Sequence, residues 1–120
     1  MKPNEELPRV ERSVDLGIGP EQLWQYLVTG ELASLWMGGV MTIEPRLNGK
    51  VLLHAEKAPP VFGTVEAITN GEELVWTWRT AEGEPTQVSI RITEQPGGSA
   101  LTVSEQMVPY EIVHVPIRFG

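Results

Sequence analysis

The side chains able to do acid–base, nucleophilic or metal chemistry are few and poorly placed for it. His54 and His114 are the two histidines of the chain, and a metal site would need both plus carboxylates from distant segments. Ser34, Ser89, Ser99 and Ser104 lack a Gly-x-Ser-x-Gly context, and the pattern places no histidine near them. Gly17-x-Gly19 has no third glycine and runs into Pro20, so it reads as a helix-entry turn, not a dinucleotide loop. Glu66 and Glu105 could form an acid/base pair by type, but Glu66 has the outward parity of its strand. No catalytic, cofactor or metal constellation emerges. What remains is a set of tryptophans and aliphatic residues with two charges among them, Arg12 and Glu105, and these suit binding better than catalysis.

Composition narrows the classes further. At 120 residues the chain is long enough for one core. Its net charge of −7 argues against a non-specific nucleic-acid binder and against attraction to anionic membranes. Asp15 is the single aspartate among sixteen acidic residues, so no paired-aspartate phosphoryl-transfer site exists. There is no cysteine, which excludes disulfides and thiolate chemistry and suits a reducing compartment. Met1 to Glu6 is polar and lacks the apolar core of a signal peptide, and no apolar run reaches membrane-spanning length. A soluble cytoplasmic protein is expected.

The elements that must position these residues follow from periodicity. Residues 1–7 read as a flexible arm, 8–107 as one domain and 108–120 as a tail. Val10, Arg12, Val14 and Leu16 alternate with polar neighbours, which predicts a first strand. Pro20 suits a first helical turn, and Leu23, Trp24 and Leu27 then share a stripe. Gly30 is expected to stop that helix, with a second from Glu31 to Trp36. From Val40 the period becomes two, predicting strands Val40–Glu44, Lys50–Glu56, Val61–Ile68, Leu74–Arg79, Thr86–Thr93 and Ala100–Met107. Asn48-Gly49, Asn70-Gly71, Glu82-Gly83 and Pro96-Gly97 supply the turns of an antiparallel meander. Pro109 and Pro116 exclude one long helix across the tail, and Pro116 would confine any strand of Val113, Val115 and Ile117 to an edge.

Parity then proposes a concave wall. If Trp76 and Trp78 point inward, so does Leu74, and Val51, Leu53, Val65, Val88, Ile90, Leu101 and Val103 follow. Trp36 would approach from the short helices. The same residues also read as ordinary core. Arg12 and Glu105 share the inward parity and could pair there, an arrangement that orients a polar ligand group more readily than it stabilises a fold.

Five segments, in this order along the chain, resemble a known family. Pro20-Glu21-Gln22-Leu23-Trp24, Leu35-Trp36, Pro45-Arg46-Leu47-Asn48-Gly49, Phe62-Gly63-Thr64-Val65 and Leu74-Val75-Trp76-Thr77-Trp78 are similar to segments of the START-like, birch-pollen-allergen-like (SRPBCC) superfamily. The branch most resembled is that of the activator of heat-shock chaperone ATPase, with Asn48 standing where that branch has glycine. The resemblance implies an α+β helix-grip fold: a curved antiparallel sheet of six to seven strands with two short helices between strands 1 and 2. It also implies that the first and last strands are neighbours. Members usually close the cavity with a long C-terminal helix, which the Pro-interrupted tail does not supply, so a dimer with exchanged tails or opposed concave faces is expected. The function expected is non-enzymatic binding of a small apolar or aromatic molecule by Trp36, Val51, Leu53, Val65, Trp76, Trp78, Ile90, Leu101 and Val103, with Arg12 and Glu105 as polar contacts. A protein-interaction module akin to the chaperone activator is the alternative. A cyclase- or hydrolase-like enzyme of the same fold is disfavoured, because Glu105 is the one inward acid/base group.

Overall fold

The computed structural model describes residues 9–108; the N-terminal arm and the tail from Pro109 onward, with the expectations attached to them, lie outside the described residues. Within them the order is β1 (Arg9–Leu16), α1 (Pro20–Val28), α2 (Gly30–Met37), β2 (Val40–Ile43), β3 (Lys50–His54), β4 (Val61–Thr69), β5 (Glu73–Arg79), β6 (Thr86–Gln95) and β7 (Gly98–Met107). The strands form one antiparallel sheet in the order β1-β7-β6-β5-β4-β3-β2. This is the α+β helix-grip architecture, with β1 and β2 at opposite edges and no closing C-terminal helix among the described residues.

Local chemistry accounts for the helices. Pro20 occupies the first turn of α1, and Gly19 precedes it in extended conformation as the N-cap. Leu23, Trp24 and Leu27 are the buried stripe of α1. Each such leucine, fully buried, contributes about 1.5–3 kcal/mol. Thr29 ends α1 and caps α2: its N–H donates to Gln25 O at 3.0 Å, while its carbonyl accepts from Ala33 N–H at 2.8 Å.

Gly30 therefore opens α2, contrary to the expected helix stop. A glycine is needed there for space: a Cβ would lie 2.7 Å from the carbonyl oxygen of Met41 on β2. The left-handed residue that ends α2 is Gly38, at φ 82°. Ser34 fastens α2 to β2, donating to Gly30 O at 2.7 Å and accepting from Met41 N–H at 2.8 Å.

Strand registers carry one interruption. Val65 lies opposite Trp76 and Ala67 opposite Val75, so Glu66 is an extra residue in β4, a β-bulge. Val65 and Ile68 consequently share a face although three residues apart. In the turn before β3, Asn48 has φ 65°, a left-handed conformation that asparagine tolerates better than most residues. The core on the helix side of the sheet unites the α1 stripe and Ala33 with Met41, Ile43, Val51, Val65, Leu74, Trp76, Trp78, Val88, Ile90 and Ile92.

Candidate functional site: an apolar groove along β1, β7 and the helices

Cross-strand pairing places the parity-selected residues on one face. Val65, Trp76, Val88, Glu105 and Val10 form one row across the sheet, and Leu74, Ile90, Val103 and Arg12 form the next. Val51 and Trp78 flank Gly63 in a third row, and Leu53 lies opposite Met41. Along this face accessibility changes sharply. Val51, Val65, Trp76 and Ile90 are at or below 1% exposure and Trp78 is at 9%, so these five are packed as core. Leu53, Leu101 and Val103 are half-buried and lie at its margin.

The opening toward solvent lies beside that core. A groove of about 320 Å³ runs between the β1–β7 pair and the helices, and no polar atom lines it. Val14 and Leu16 of β1 and Leu101 of β7 line its sheet floor, and Ile18 of the β1–α1 turn, Leu23, Tyr26 and Leu27 of α1 and Trp36 of α2 line the rest. Trp36 is 42% exposed, and its Nε1–H donates to Tyr26 O at 2.8 Å, fixing the end of α2 against α1. Ser99, buried, donates to Ile18 O at 2.8 Å and pins the β1–α1 turn to β7. The walls are thus held by two side-chain hydrogen bonds whose apolar faces remain available.

Of the expected site residues, Trp36 and Leu101 line this groove. Tyr26, Ile18, Val14, Leu16, Leu23 and Leu27 were not expected in it. Val14 and Leu16 share the parity of Arg12, and Tyr26 stands three residues after Leu23, so the signal was present in the pattern.

The two charges behave differently from expectation. Arg12 and Glu105 do share the inward face, Arg12 opposite Val103 and Glu105 opposite Val10. The ion pair that their shared parity allowed is not made. Glu105 Oε2 instead accepts from Thr86 Oγ1 at 2.7 Å and from Trp78 Nε1 at 3.3 Å, which draws the carboxylate toward β5 and β6. Thr86 on β6 and Arg12 on β1 are both diagonal cross-strand neighbours of Glu105, and the carboxylate turns to the β6 side. A small cavity of about 170 Å³ adjoins Glu105 and Thr86, completed by Val10, Gln106 and Met107.

The remaining polar depressions and titratable groups offer no comparable site among the described residues. A depression of about 900 Å³ at the start of α1 is lined by Glu21, Glu72, Glu94 and Arg91 among others, but Arg91 is already bonded to Glu73 at 3.0 Å. His54 is exposed, and no cluster of three or more His, Asp or Glu side chains suited to a metal occurs among the described residues. No helix among them is long and apolar enough to cross a membrane.

Solved structures of this shape exist at low sequence identity. A protein from Mesorhizobium loti superposes with a TM-score of 0.78 at 19% identity, covering 87% of this chain and 79% of that one. An HSP90 activator from Plasmodium falciparum gives 0.70 at 17% identity, with 84% and 74% covered. The Aha1 dimer from Colwellia psychrerythraea gives 0.72 at 10% identity, with 93% and 87% covered. These likenesses establish the fold. No curated protein matches the sequence. A family model does match, over residues 18–115, and that span includes both helices and every strand after β1. The chain therefore belongs to the family described as Activator of Hsp90 ATPase homolog 1-like protein.

Proposed function

We propose that this protein binds a small apolar or aromatic molecule, without chemical conversion, in the groove between the helices and the β1–β7 pair. The observation that carries this reading is the groove's lining. Eight side chains, two of them aromatic, enclose about 320 Å³ with no polar atom, at the lower end of the size range for small-molecule sites. The setting proposed is the cytoplasm. The deeper residues Val51, Leu53, Val65, Trp76, Trp78, Ile90 and Val103 belong to the core beside the groove or pack against it. Arg12, on the same face of β1 as Val14, is the polar contact proposed, Glu105 lining a separate small cavity.

Trp36 makes the reading measurable, because it is the half-exposed tryptophan of the groove while Trp24, Trp76 and Trp78 are buried. A neutral flat aromatic such as naphthalene should quench or shift tryptophan emission saturably, and Trp36→Phe should remove most of the change. Val14→Glu puts a charge where an apolar ligand must pack and should weaken binding by about tenfold or more. Absence of any saturable response in the native protein would end this reading.

A second reading has its own support. Leu35, 73% exposed, adjoins Trp36 on α2, and one structural neighbour is an HSP90 activator. A module of that kind would stimulate ATP hydrolysis by an Hsp90-type chaperone and ignore naphthalene, so the two assays separate the readings. Self-association into a dimer is also proposed, on the likeness to a dimeric relative and the apolar exposure around Val14 and Trp36.

A further inference from the structure

The face shared by β1 and β7 passes from apolar to charged along its length. Val14 and Leu101, paired across the two strands, form part of the groove floor. The next residue of the same face on β1 is Arg12, and after it comes Val10 opposite Glu105. Alternate residues of a strand stand about 7 Å apart, so a guanidinium on its long stem can reach the head of anything lying on Val14 and Leu101.

The charge is also left available. Glu105, the carboxylate that shares this face, is held by Thr86 and Trp78. Among the described residues the Arg12 side chain makes no ion pair or hydrogen bond, its backbone alone being paired, with Val103. In a chain of net charge −7, an unneutralised guanidinium at the mouth of a wholly apolar groove selects one kind of anion. It must bring enough apolar surface to bind despite the long-range repulsion. We propose that the groove takes a carboxylate amphiphile, an acyl or aryl body lying on Val14, Leu101, Tyr26 and Trp36 with its carboxylate received by Arg12. The planar fork of the guanidinium matches a carboxylate bidentately, which an ammonium would not. This inference rests on the groove being a ligand site, and its test is chosen to fail separately.

The full chain is titrated with dodecanoate and with dodecanol, below micelle formation and at a pH where the acid is ionised, with tryptophan emission as the readout. Dodecanoate should bind roughly tenfold tighter than dodecanol at low salt, and the margin should shrink as salt screens an exposed charge. Arg12→Gln should lower the dodecanoate affinity to that of the alcohol, and Arg12→Glu should invert the order. Equal binding of acid and alcohol by the native protein overturns the inference and leaves the groove reading intact. So does an acid preference that survives Arg12→Gln while that variant aggregates, which would make Arg12 an inward charge guarding the edge strand. Binding of neither compound overturns both.

Discussion

Trp76 and Trp78 stand two residues apart on β5, with ring centroids 5.4 Å apart in an edge-to-face arrangement. Trp78 Nε1–H reaches Glu105, whereas Trp76 Nε1 is buried with no partner among the described residues. An unpaired buried donor costs about 1–3 kcal/mol, so Trp76 gives up part of what its apolar area contributes. Phenylalanine removes a similar volume at either position, but at 76 it also removes the unsatisfied N–H. At 78 it deprives Glu105 of a donor. Trp76→Phe should therefore destabilise by about 1 kcal/mol less than Trp78→Phe, read from urea midpoints at unchanged slope. Equal losses, or the reverse order, would mean that the indole N–H of Trp76 finds water or another acceptor. Parity identified both residues as inward, because alternation fixes the face of a strand. It could not say which carboxylate an indole meets, since that depends on Thr86 and on rotamers two strands apart.

At the scale of elements, α2 crosses β2 at close range. Ser34 supplies two hydrogen bonds there, and the absent side chain of Gly30 lets the helix approach Met41. Gly30→Ala must move either a helix start or an edge strand and should cost about 1–3 kcal/mol, the range for overpacking. Gly17→Ala is the control: nothing lies within 4 Å of its Cβ position, and the change should stay within about 0.5 kcal/mol. Thermal unfolding of the two variants should separate them, and a neutral Gly30→Ala would show that the contact relaxes freely. The sequence misleads at this junction for a definite reason. A glycine after an apolar helical stripe looks like a helix stop, and nothing local reveals that a strand ten residues onward will press against it. The bulge at Glu66 is hidden in the same way, because neither Glu66 nor Ala67 is a glycine marking it. The meander and the β1–β7 neighbourhood, by contrast, were legible from strict alternation, turn residues and family resemblance. The groove was half legible: its strand residues shared a readable parity, but Ile18 and Tyr26 join it only through helix docking.

For the whole molecule the question is what else could occupy the groove. Val10, Val14, Leu35 and Trp36 are exposed apolar side chains associated with the β1 edge and α2, while Val40, Leu52 and Phe62 are exposed toward the opposite edge. Contact between the two different edges would propagate into open chains, whereas a two-fold contact uses one patch on both copies and closes. The proposed dimer is accordingly placed at the groove side. Two chains of net charge −7 repel, so this dimer should tighten as salt rises, the direction opposite to that of the Arg12-dependent ligand preference. A ligand in the groove and a partner chain over it would exclude each other. By linkage, ligand at a hundredfold excess over its Kd favours each freed monomer by about 2.7 kcal/mol, enough to dissociate a weak dimer. Sedimentation velocity with and without dodecanoate should therefore show a dimer that strengthens with salt and falls apart as the groove fills. A dimer indifferent to ligand would place the contact at the Leu52–Phe62 side, and a monomer at every salt concentration would leave the groove to the ligand alone.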